Sequence, residues 1–203
     1  MTNDAGGAAV IQASPFTVPG RRRPMTETYQ TLSSRIAYEN RWTRLREDRI
    51  RRPDGSEGLY GVVERSDFVV VVPWHDGKLT LVEQYRYPVR ARIWEFPMGM
   101  WEQTSLPPGE LAAAELREET GLRAGTMRHA GTLFQGPGYC TQQGHIFLAT
   151  DLTQGQPERE ASEQDMVCRE VTLAEFESMV NDGTIHEAMT ISAFGLLRLK
   201  QWL

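Results

Sequence analysis

The stretch Glu115-Leu116-Arg117-Glu118-Glu119-Thr120-Gly121-Leu122 decides how this chain folds. It ends the one strong helix pattern in the sequence, which opens at Pro107-Pro108-Gly109-Glu110. Proline near the start of a helix and glycine just after its end are the expected signals. Projected on a helix, the three glutamates fall within about 100° of one another, on the side that carries the leucines. The sequence therefore predicts that these carboxylates lie at or beside the protein body, not on a solvated face.

Three like charges on one patch of a helix repel each other, so a neighbouring group must offset them. Mg²⁺ or Mn²⁺ would do so, because these cations prefer carboxylate oxygens and keep water and phosphate as their other ligands. An acidic helix paired with nearby arginines is the alternative. The helix alone leaves both interpretations open.

Short strands surround this helix in the sequence. The run from Asp67 to Pro73 is apolar between its ends and bounded by turn residues, which is typical of a buried strand. Further strands are predicted at residues 79–85, 94–97, 133–134, 145–149 and 167–171, and two more helices at residues 173–181 and 188–202. This order indicates an α/β (α+β) fold with a mixed central sheet between helices.

The N-terminal part differs in composition from the rest. Residues 1–37 are predicted to be a disordered or weakly ordered leader, and their apolar patch is too short for an export signal. One domain is predicted over residues 38–203. It begins with a β-hairpin at residues 38–63, because Arg52-Pro53-Asp54-Gly55 has the composition of a turn between two strands. A hairpin of this length with an unpaired edge favours a homodimer.

Composition and charge disfavour several classes of protein. The 203 residues are 40% hydrophobic and 24% charged, as in an ordinary globular domain. The net charge of −5 argues against a nucleic-acid partner. No run of about 18 apolar residues occurs, so no membrane-spanning helix is predicted. The two cysteines, Cys140 and Cys168, exclude a disulfide framework, and we predict a reducing, cytoplasmic location.

Several motifs around the helix combine into a family pattern. Glu95-Phe96-Pro97-Met98-Gly99 lies upstream of the glutamates, and Gln84-Tyr85-Arg86 precedes it. Pro137-Gly138 follows the helix, and Asp182-Gly183-x-Ile185 leads to Thr190. From about residue 38 onward, this combination resembles the Nudix hydrolases, and within them the ADP-ribose pyrophosphatase branch.

The resemblance implies the Nudix fold, a mixed sheet sandwiched between helices, and a homodimer in which the N-terminal hairpin swaps between chains. It also implies Mg²⁺ or Mn²⁺ as cofactor and a water that attacks the diphosphate of a small-molecule nucleoside diphosphate derivative. The positions that match the metal ligands are the carbonyl of Met98 and the carboxylates of Glu115, Glu118 and Glu119, and the three glutamates are also the predicted catalytic residues. The predicted substrate contacts are Arg65, Arg86, Glu95 and Gln142.

Three positions depart from the family pattern. Ala114 stands where the Nudix box has arginine, and Leu106 stands where it has an earlier glutamate. Gln142 occupies the place of a loop glutamate that serves as a base, and an amide cannot take up a proton. Glu163, a further predicted catalytic residue, and Asp165 are candidate replacements on the next loop. Gln142→Glu is expected to raise the rate if the loop closes over the site.

The predicted function is metal-dependent hydrolysis of a nucleoside diphosphate derivative of the ADP-ribose or sugar-nucleotide type. Its products are a nucleoside monophosphate and a phosphorylated partner. The alternative is a catalytically weakened Nudix domain that binds a nucleotide as a sensor or partner module. The missing box arginine and glutamate favour this alternative, and the three retained glutamates favour the enzyme. A Nudix enzyme acting on a diphosphate without a nucleotide is a third possibility.

Overall fold

The computed structural model describes residues 10–12, 29–101, 106–159 and 164–203. Its strands are β1 (Val10–Gln12), β2 (Gln30–Glu39), β3 (Arg44–Arg51), β4 (Glu57–Glu64), β5 (Phe68–His75), β6 (Lys78–Arg86), β7 (Ala91–Glu95), β8 (Met98–Met100), β9 (Leu122–Phe134), β10 (Gln143–Gln154) and β11 (Val167–Thr172). Its helices are α1 (Pro108–Thr120), α2 (Leu173–Asn181) and α3 (Ala188–Leu199). The predicted order of strands, helix, strands and two helices is confirmed.

Eight of the strands form one mixed sheet. Its hydrogen-bonded order is β1-β9-β10-β5-β6-β11, with β7 added to β6 and β8 added to β5. β10 runs parallel to β5 and antiparallel to β9. β5 and β6 pair beside the turn that joins them, at Trp74–Leu79 and His75–Lys78. Beyond this point the two strands take β8 and β7 as separate partners, so the sheet opens between them.

Both faces of this sheet are buried against helices. Val70 of β5 lies in a core cluster with Phe176 of α2 and other side chains of α2 and α3. Val69 points the opposite way and packs in a second cluster with Leu116 of α1. A strand that is buried on both faces is apolar throughout, which explains the valine run of β5. The predicted sheet between helices is therefore confirmed.

A separate antiparallel sheet is formed by β2, β3 and β4. The predicted hairpin corresponds to β3 and β4, and the N–H of Arg52 closes its turn by donating to the carbonyl of Ser56 at 2.8 Å. The third strand, β2, was not predicted. Nine of its ten residues are exposed, so its sequence lacks the apolar alternation of a half-buried strand.

The structure also describes parts of the leader predicted at residues 1–37. β2 starts at Gln30, so the N-terminal sheet begins before the boundary predicted at residue 38. β1 lies within the predicted leader and pairs in parallel with residues 126–128 of β9. The rest of that prediction, on residues 1–9 and 13–28, lies outside the described residues. No helix in the described part of the chain is long and apolar enough to cross a bilayer.

The C-terminal end of α1 is fixed against the segment that follows β10. Gly121 ends the helix at φ 77°, and its N–H donates to the carbonyl of Arg117 at 2.8 Å. Its own carbonyl accepts from the N–H of Gly155 at 2.9 Å. A Cβ at position 121 would lie 2.6 Å from the carbonyl oxygen of Gly155. Glycine is therefore required here both by the backbone conformation and by the approach of a second backbone segment.

We expect Gly121→Ala to lower the free energy of unfolding by about 2–5 kcal/mol. An L-residue in this conformation costs about 1–2 kcal/mol, and overlap with a packed backbone adds about 1–3 kcal/mol. Gly77→Ala is the matched control, because Gly77 has φ 78° and a Cβ there meets nothing within 4 Å. Urea denaturation measures both losses. An equal loss in the two variants would contradict the role of the Gly155 contact.

Candidate active site

The three glutamates of α1 lie on the side that the helical projection predicts. Glu119 is buried, with 1% of its surface exposed, and Glu115 and Glu118 are half-buried. Leu111 and Leu116 pack from the same helix into the core cluster beneath it. The leucines therefore anchor α1 on the sheet and hold the carboxylates at the boundary between the core and solvent.

Gly99 of β8 brings the preceding loop into contact with α1. β8 is held beside β5, where Gly99 pairs with Val69. A Cβ built on Gly99 would overlap the carboxylate of Glu115. The absence of a side chain at position 99 thus lets a helix carboxylate lie against the β8 backbone, next to the carbonyl of Met98. The Glu115 carboxylate therefore lies at the residue that follows Met98. That the two act as metal ligands stays a prediction.

Glu118 has a different neighbour. Its Oε1 lies 3.0 Å from Nη2 of Arg117, and Nε of Arg117 lies 3.6 Å from a carboxylate oxygen of Glu158. Arg117 was not among the predicted site residues. The ion pair offsets part of the repulsion between the helix carboxylates, in place of the box arginine that is Ala114 here.

Glu95 ends β7 and lies deep in the protein, with 1% of its surface exposed. Nε2 of Gln84 donates to its Oε1 at 2.7 Å, and Nε of Arg86 donates to its Oε2 at 3.2 Å. Burial raises the pKa of the Glu95 carboxyl, Arg86 opposes this rise, and the Glu187 carboxylate adds to it. Arg86 was predicted to meet substrate; in the structure it binds Glu95 while 38% of its side chain stays exposed.

The other two predicted substrate contacts meet at Met100, one residue after Gly99. Nε2 of Gln142 lies 3.4 Å from the Met100 sulfur, and so does Nη2 of Arg65. Arg65 is exposed, whereas Gln142 is only 2% exposed. Nε2 of Gln142 also donates to the carbonyl of Ser66 at 2.6 Å. Gln142 therefore ties the β9–β10 loop to the segment before β5, a structural contact that its sequence position did not suggest.

The β9–β10 loop is anchored to the N-terminal sheet. The N–H of Val63 in β4 donates to the carbonyl of Tyr139 at 2.7 Å, and the Val63 carbonyl accepts from the N–H of Thr141 at 3.1 Å. The hydroxyl of Tyr60 donates to the carbonyl of Gly138 at 2.8 Å. The β9–β10 loop is thus held by two main-chain hydrogen bonds and one side-chain hydrogen bond from β4.

The predicted replacements for a loop base are only partly described. Glu163 lies outside the described residues. Asp165 is described, and its Oδ2 lies 2.7 Å from Nη1 of Arg92, which also binds Glu83. The Asp165 carboxylate is therefore part of an ion-pair network with Arg92 of β7. The Asp165 side chain is 61% exposed.

Among the described residues, no three His, Cys, Asp or Glu side chains are grouped so as to hold a metal ion. Glu118 is instead paired with Arg117. That Glu115, Glu118 and Glu119 bind one cation stays a prediction. The donor set nevertheless fits a hard cation, because it consists of oxygen atoms alone and Glu115 rests on the Gly99 backbone.

The sequence analysis missed the residues of α3 that hold the backbone next to Glu95. The N–H of Phe96 donates to Oγ1 of Thr190 at 3.1 Å, and Thr190 is fully buried on α3. The carboxylate of Glu187 accepts from the N–H of Thr190 at 2.6 Å. The motif from Asp182 to Thr190 could have pointed to these residues. It was used only for the family resemblance and not to predict a contact with the Glu95 segment.

Comparison with known proteins gives a consistent result. The NUDIX domain pattern matches residues 64–190, and the pattern of the nucleoside diphosphate sugar hydrolase N-terminal domain matches residues 29–63. An ADP-ribose pyrophosphatase of Mycobacterium tuberculosis (strain ATCC 25618 / H37Rv) is 34% identical over 166 residues, which cover 81% of this chain and 80% of the relative. An ADP-ribose pyrophosphatase of Bacillus subtilis (strain 168) is 29% identical, with 86% of this chain and 95% of the relative covered.

Two further similarities extend this picture. A methanol dehydrogenase activator of Bacillus methanolicus is 27% identical over 176 residues, which cover 86% of this chain and 95% of the relative. A crystal structure of an ADP compounds hydrolase superposes with a TM-score of 0.77 at 22% identity, over 87% of this chain and 95% of that one. The superposition supports the sheet between helices described above.

Gln142→Glu is expected to destabilise the protein and not to restore a base. A carboxylate at this buried position cannot donate to the Ser66 carbonyl. Leaving that carbonyl without its donor costs about 1–3 kcal/mol of stability. Burial would raise the pKa of the new carboxyl above its unfolded value. The loss of stability should therefore grow as pH rises above about 4.3, where glutamate ionises in the unfolded chain, until the raised folded pKa is passed.

The measurement is urea denaturation at pH 5 and pH 8, with Gln135→Glu as control. Gln135 lies on the same loop and is exposed, so the same change of charge there should alter stability by less than about 0.5 kcal/mol. A Gln142→Glu variant that is as stable as the wild type at pH 8 and hydrolyses substrate faster would reverse this interpretation.

Proposed function

The chain belongs to the Nudix hydrolase family and is a Nudix pyrophosphohydrolase, and within that family we propose that it hydrolyses ADP-ribose or a closely related nucleoside diphosphate sugar. The products would be a nucleoside monophosphate and a phosphorylated partner. The names of two relatives support this substrate class, as does the matched N-terminal domain pattern. We propose Mg²⁺ or Mn²⁺ as the cofactor.

One observation carries the proposal: the carboxylate of Glu115 lies against the backbone of Gly99. The carbonyl of Met98 belongs to the adjoining peptide, and both groups are hard oxygen donors. Glu118 and Glu119 follow on the same face of α1. They would complete the set of ligands once Glu118 exchanges its ion pair with Arg117 for the cation. A cation bound there would supply charge neutralisation at the diphosphate and would lower the pKa of a coordinated water.

Arg86 is the best-placed side chain to contact the diphosphate. Buried Glu95 binds its guanidinium through Nε and Nη2, so the planar group has a fixed orientation. The side chain stays 38% exposed, so a ligand can reach it from solvent. Arg65 lies at the same end of the sheet, through its contact with Met100. Two arginines at this end would attract an anionic ligand to a protein whose net charge is −5.

A binding module without turnover is the second candidate. The ion pair between Glu118 and Arg117 and the structural contact of Gln142 both favour it, because each engages a residue that catalysis would use. In this case the chain would bind the same nucleoside diphosphate derivatives through the same arginines and release no product.

The test is a panel of nucleoside diphosphate sugars that includes ADP-ribose, assayed for released monophosphate with Mg²⁺ and with Mn²⁺. Glu119→Gln should weaken Mn²⁺ binding in isothermal titration calorimetry by at least about 10-fold, because it removes one charged ligand. Glu110→Gln is the control, since Glu110 is exposed on the first turn of α1. Mn²⁺ affinity should not change in this control.

Three results would decide between the candidates. Release of monophosphate from ADP-ribose, lost in Glu119→Gln and kept in Glu110→Gln, supports the enzyme. Binding of ADP-ribose without release from any compound supports the binding module. A wild type that binds no Mn²⁺, even with ADP-ribose present, contradicts the proposed cofactor.

We also propose a homodimer built on the N-terminal sheet. β2 lies at the edge of this sheet and presents Ile36 and Tyr38, which are 48% and 57% exposed. An exposed edge strand with apolar side chains is a template for pairing with another chain. Light scattering at micromolar concentration should give a mass near twice 23.0 kDa.

Ile36→Glu should shift the particle toward the single-chain mass, because it places a charge on the proposed interface. Leu199→Glu is the control, since Leu199 is 86% exposed on α3, outside the N-terminal sheet. A wild type that scatters as a 23.0 kDa particle would refute the dimer.

A further inference from the structure

We infer that Thr190 is a positioning residue for hydrolysis, because its hydroxyl holds the backbone where the chain crosses from β7 to β8. The inference rests on the proposed function and adds a residue that lies behind the site. Thr190 would contact neither substrate nor cation. It would act by fixing the position of Glu95 relative to the Met98–Gly99 backbone.

The crossing is a weak point in the sheet. Glu95 pairs with Val82 of β6, whereas Met98 pairs with Val70 of β5. β5 and β6 have already diverged here, so the chain changes its partner strand within Phe96 and Pro97. A segment that leaves one ladder and enters another needs other partners for its backbone groups.

Two hydrogen bonds hold this crossing. The Pro97 carbonyl accepts from the N–H of Val71 at 2.9 Å, which joins it to β5. The Phe96 N–H donates to Oγ1 of Thr190 at 3.1 Å, which joins it to α3. The second bond links residues 94 positions apart in the chain. It is made by a side chain, so a single substitution can remove it without changing the backbone.

Thr190 is itself held firmly. It is fully buried near the start of α3, where the Glu187 carboxylate accepts from the N–H groups of Met189 at 2.9 Å and Thr190 at 2.6 Å. The ring of Phe96 is held by the same part of the molecule. It stacks on Phe176 of α2 with ring centroids 5.5 Å apart. The C-terminal helices thus fix both the backbone and the side chain of Phe96.

The groups on either side of the crossing are those that the proposed reaction uses. Glu95, which orients Arg86, comes one residue before Phe96. The Met98 carbonyl and the glycine against which Glu115 rests come two and three residues after it. A shift of the crossing would therefore change the distance between the substrate arginine and the proposed metal ligands. A misplacement of about 1 Å can lower a rate by about 10²-fold.

The experiment compares Thr190→Val with Thr190→Ser. Valine has nearly the shape of threonine but no acceptor for the Phe96 N–H, whereas serine keeps the hydroxyl. We measure kcat and KM for ADP-ribose, the Mn²⁺ dissociation constant by calorimetry, and the melting temperature. Thr190→Val should lose about 10- to 100-fold in kcat with a smaller change in KM, and should bind Mn²⁺ more weakly. Thr190→Ser should restore both values to near those of the wild type.

Thr172→Val controls for lost stability alone. Thr172 caps α2 through its hydroxyl, which accepts from the N–H of Glu175 at 3.2 Å, and this cap belongs to a helix end outside the crossing. This variant should melt earlier and keep its kcat and Mn²⁺ affinity. If Thr190→Val does not fold, Thr190→Ala removes the same acceptor with less crowding and is read in the same way.

The outcomes separate this inference from the proposed function. A wild type that does not hydrolyse any nucleoside diphosphate sugar overturns the proposed function. A wild type that does, together with unchanged kcat and Mn²⁺ affinity in a folded Thr190→Val or Thr190→Ala, overturns the role of Thr190 alone. Loss of kcat in Thr190→Ser equal to that in Thr190→Val would show a packing effect and would also overturn it.

Discussion

The approach of the Glu115 carboxylate to the backbone of Gly99 is the contact on which the site depends. Both partners are placed by the hydrophobic core. Leu116 holds α1 on one face of the sheet, and the pairing of Gly99 with Val69 holds β8 at its edge. A close-packed core resists small displacements, so it keeps the loop and the helix carboxylate at a fixed separation. Any residue with a side chain at position 99 would separate them.

Two of the carboxylates around this contact are each neutralised by an arginine of their own. Glu118 is paired with Arg117 at a half-exposed position, and Glu95 is paired with Arg86 inside the protein. An exposed pair contributes about 0–1 kcal/mol to stability, whereas a buried carboxylate needs its partner to stay ionised at all. Burial raises the pKa of the Glu95 carboxyl, and the nearby Glu187 carboxylate raises it further. The guanidinium of Arg86 is therefore both a neutralising group and the proposed contact to substrate.

The sequence predicted the features that follow from local periodicity and turn chemistry. The orientation of α1, the buried β5 and the β3–β4 hairpin all belong to this class. β2 was not predicted, because a strand with exposed residues on both faces has no hydrophobic period to detect. The hydrogen bond from Gln142 to Ser66 joins segments 76 residues apart, and the hydrogen bond from Phe96 to Thr190 joins segments 94 residues apart. Such contacts are set by the packing of the sheet, which local sequence patterns do not encode.

The departures from the family pattern differ in whether another residue can take over the lost task. The box arginine holds a glutamate in place, and the position of a side chain is usually fixed by several contacts together. Nε of Arg159 donates to the carbonyl of Glu119 at 3.0 Å, so the end of α1 is supported without the arginine missing at Ala114. Taking up a proton is a chemical property of one group, and the amide of Gln142 lacks it. Under the proposed function, loss of the box arginine should therefore be tolerated better than loss of the loop glutamate. Activation of water would then depend mainly on the bound cation.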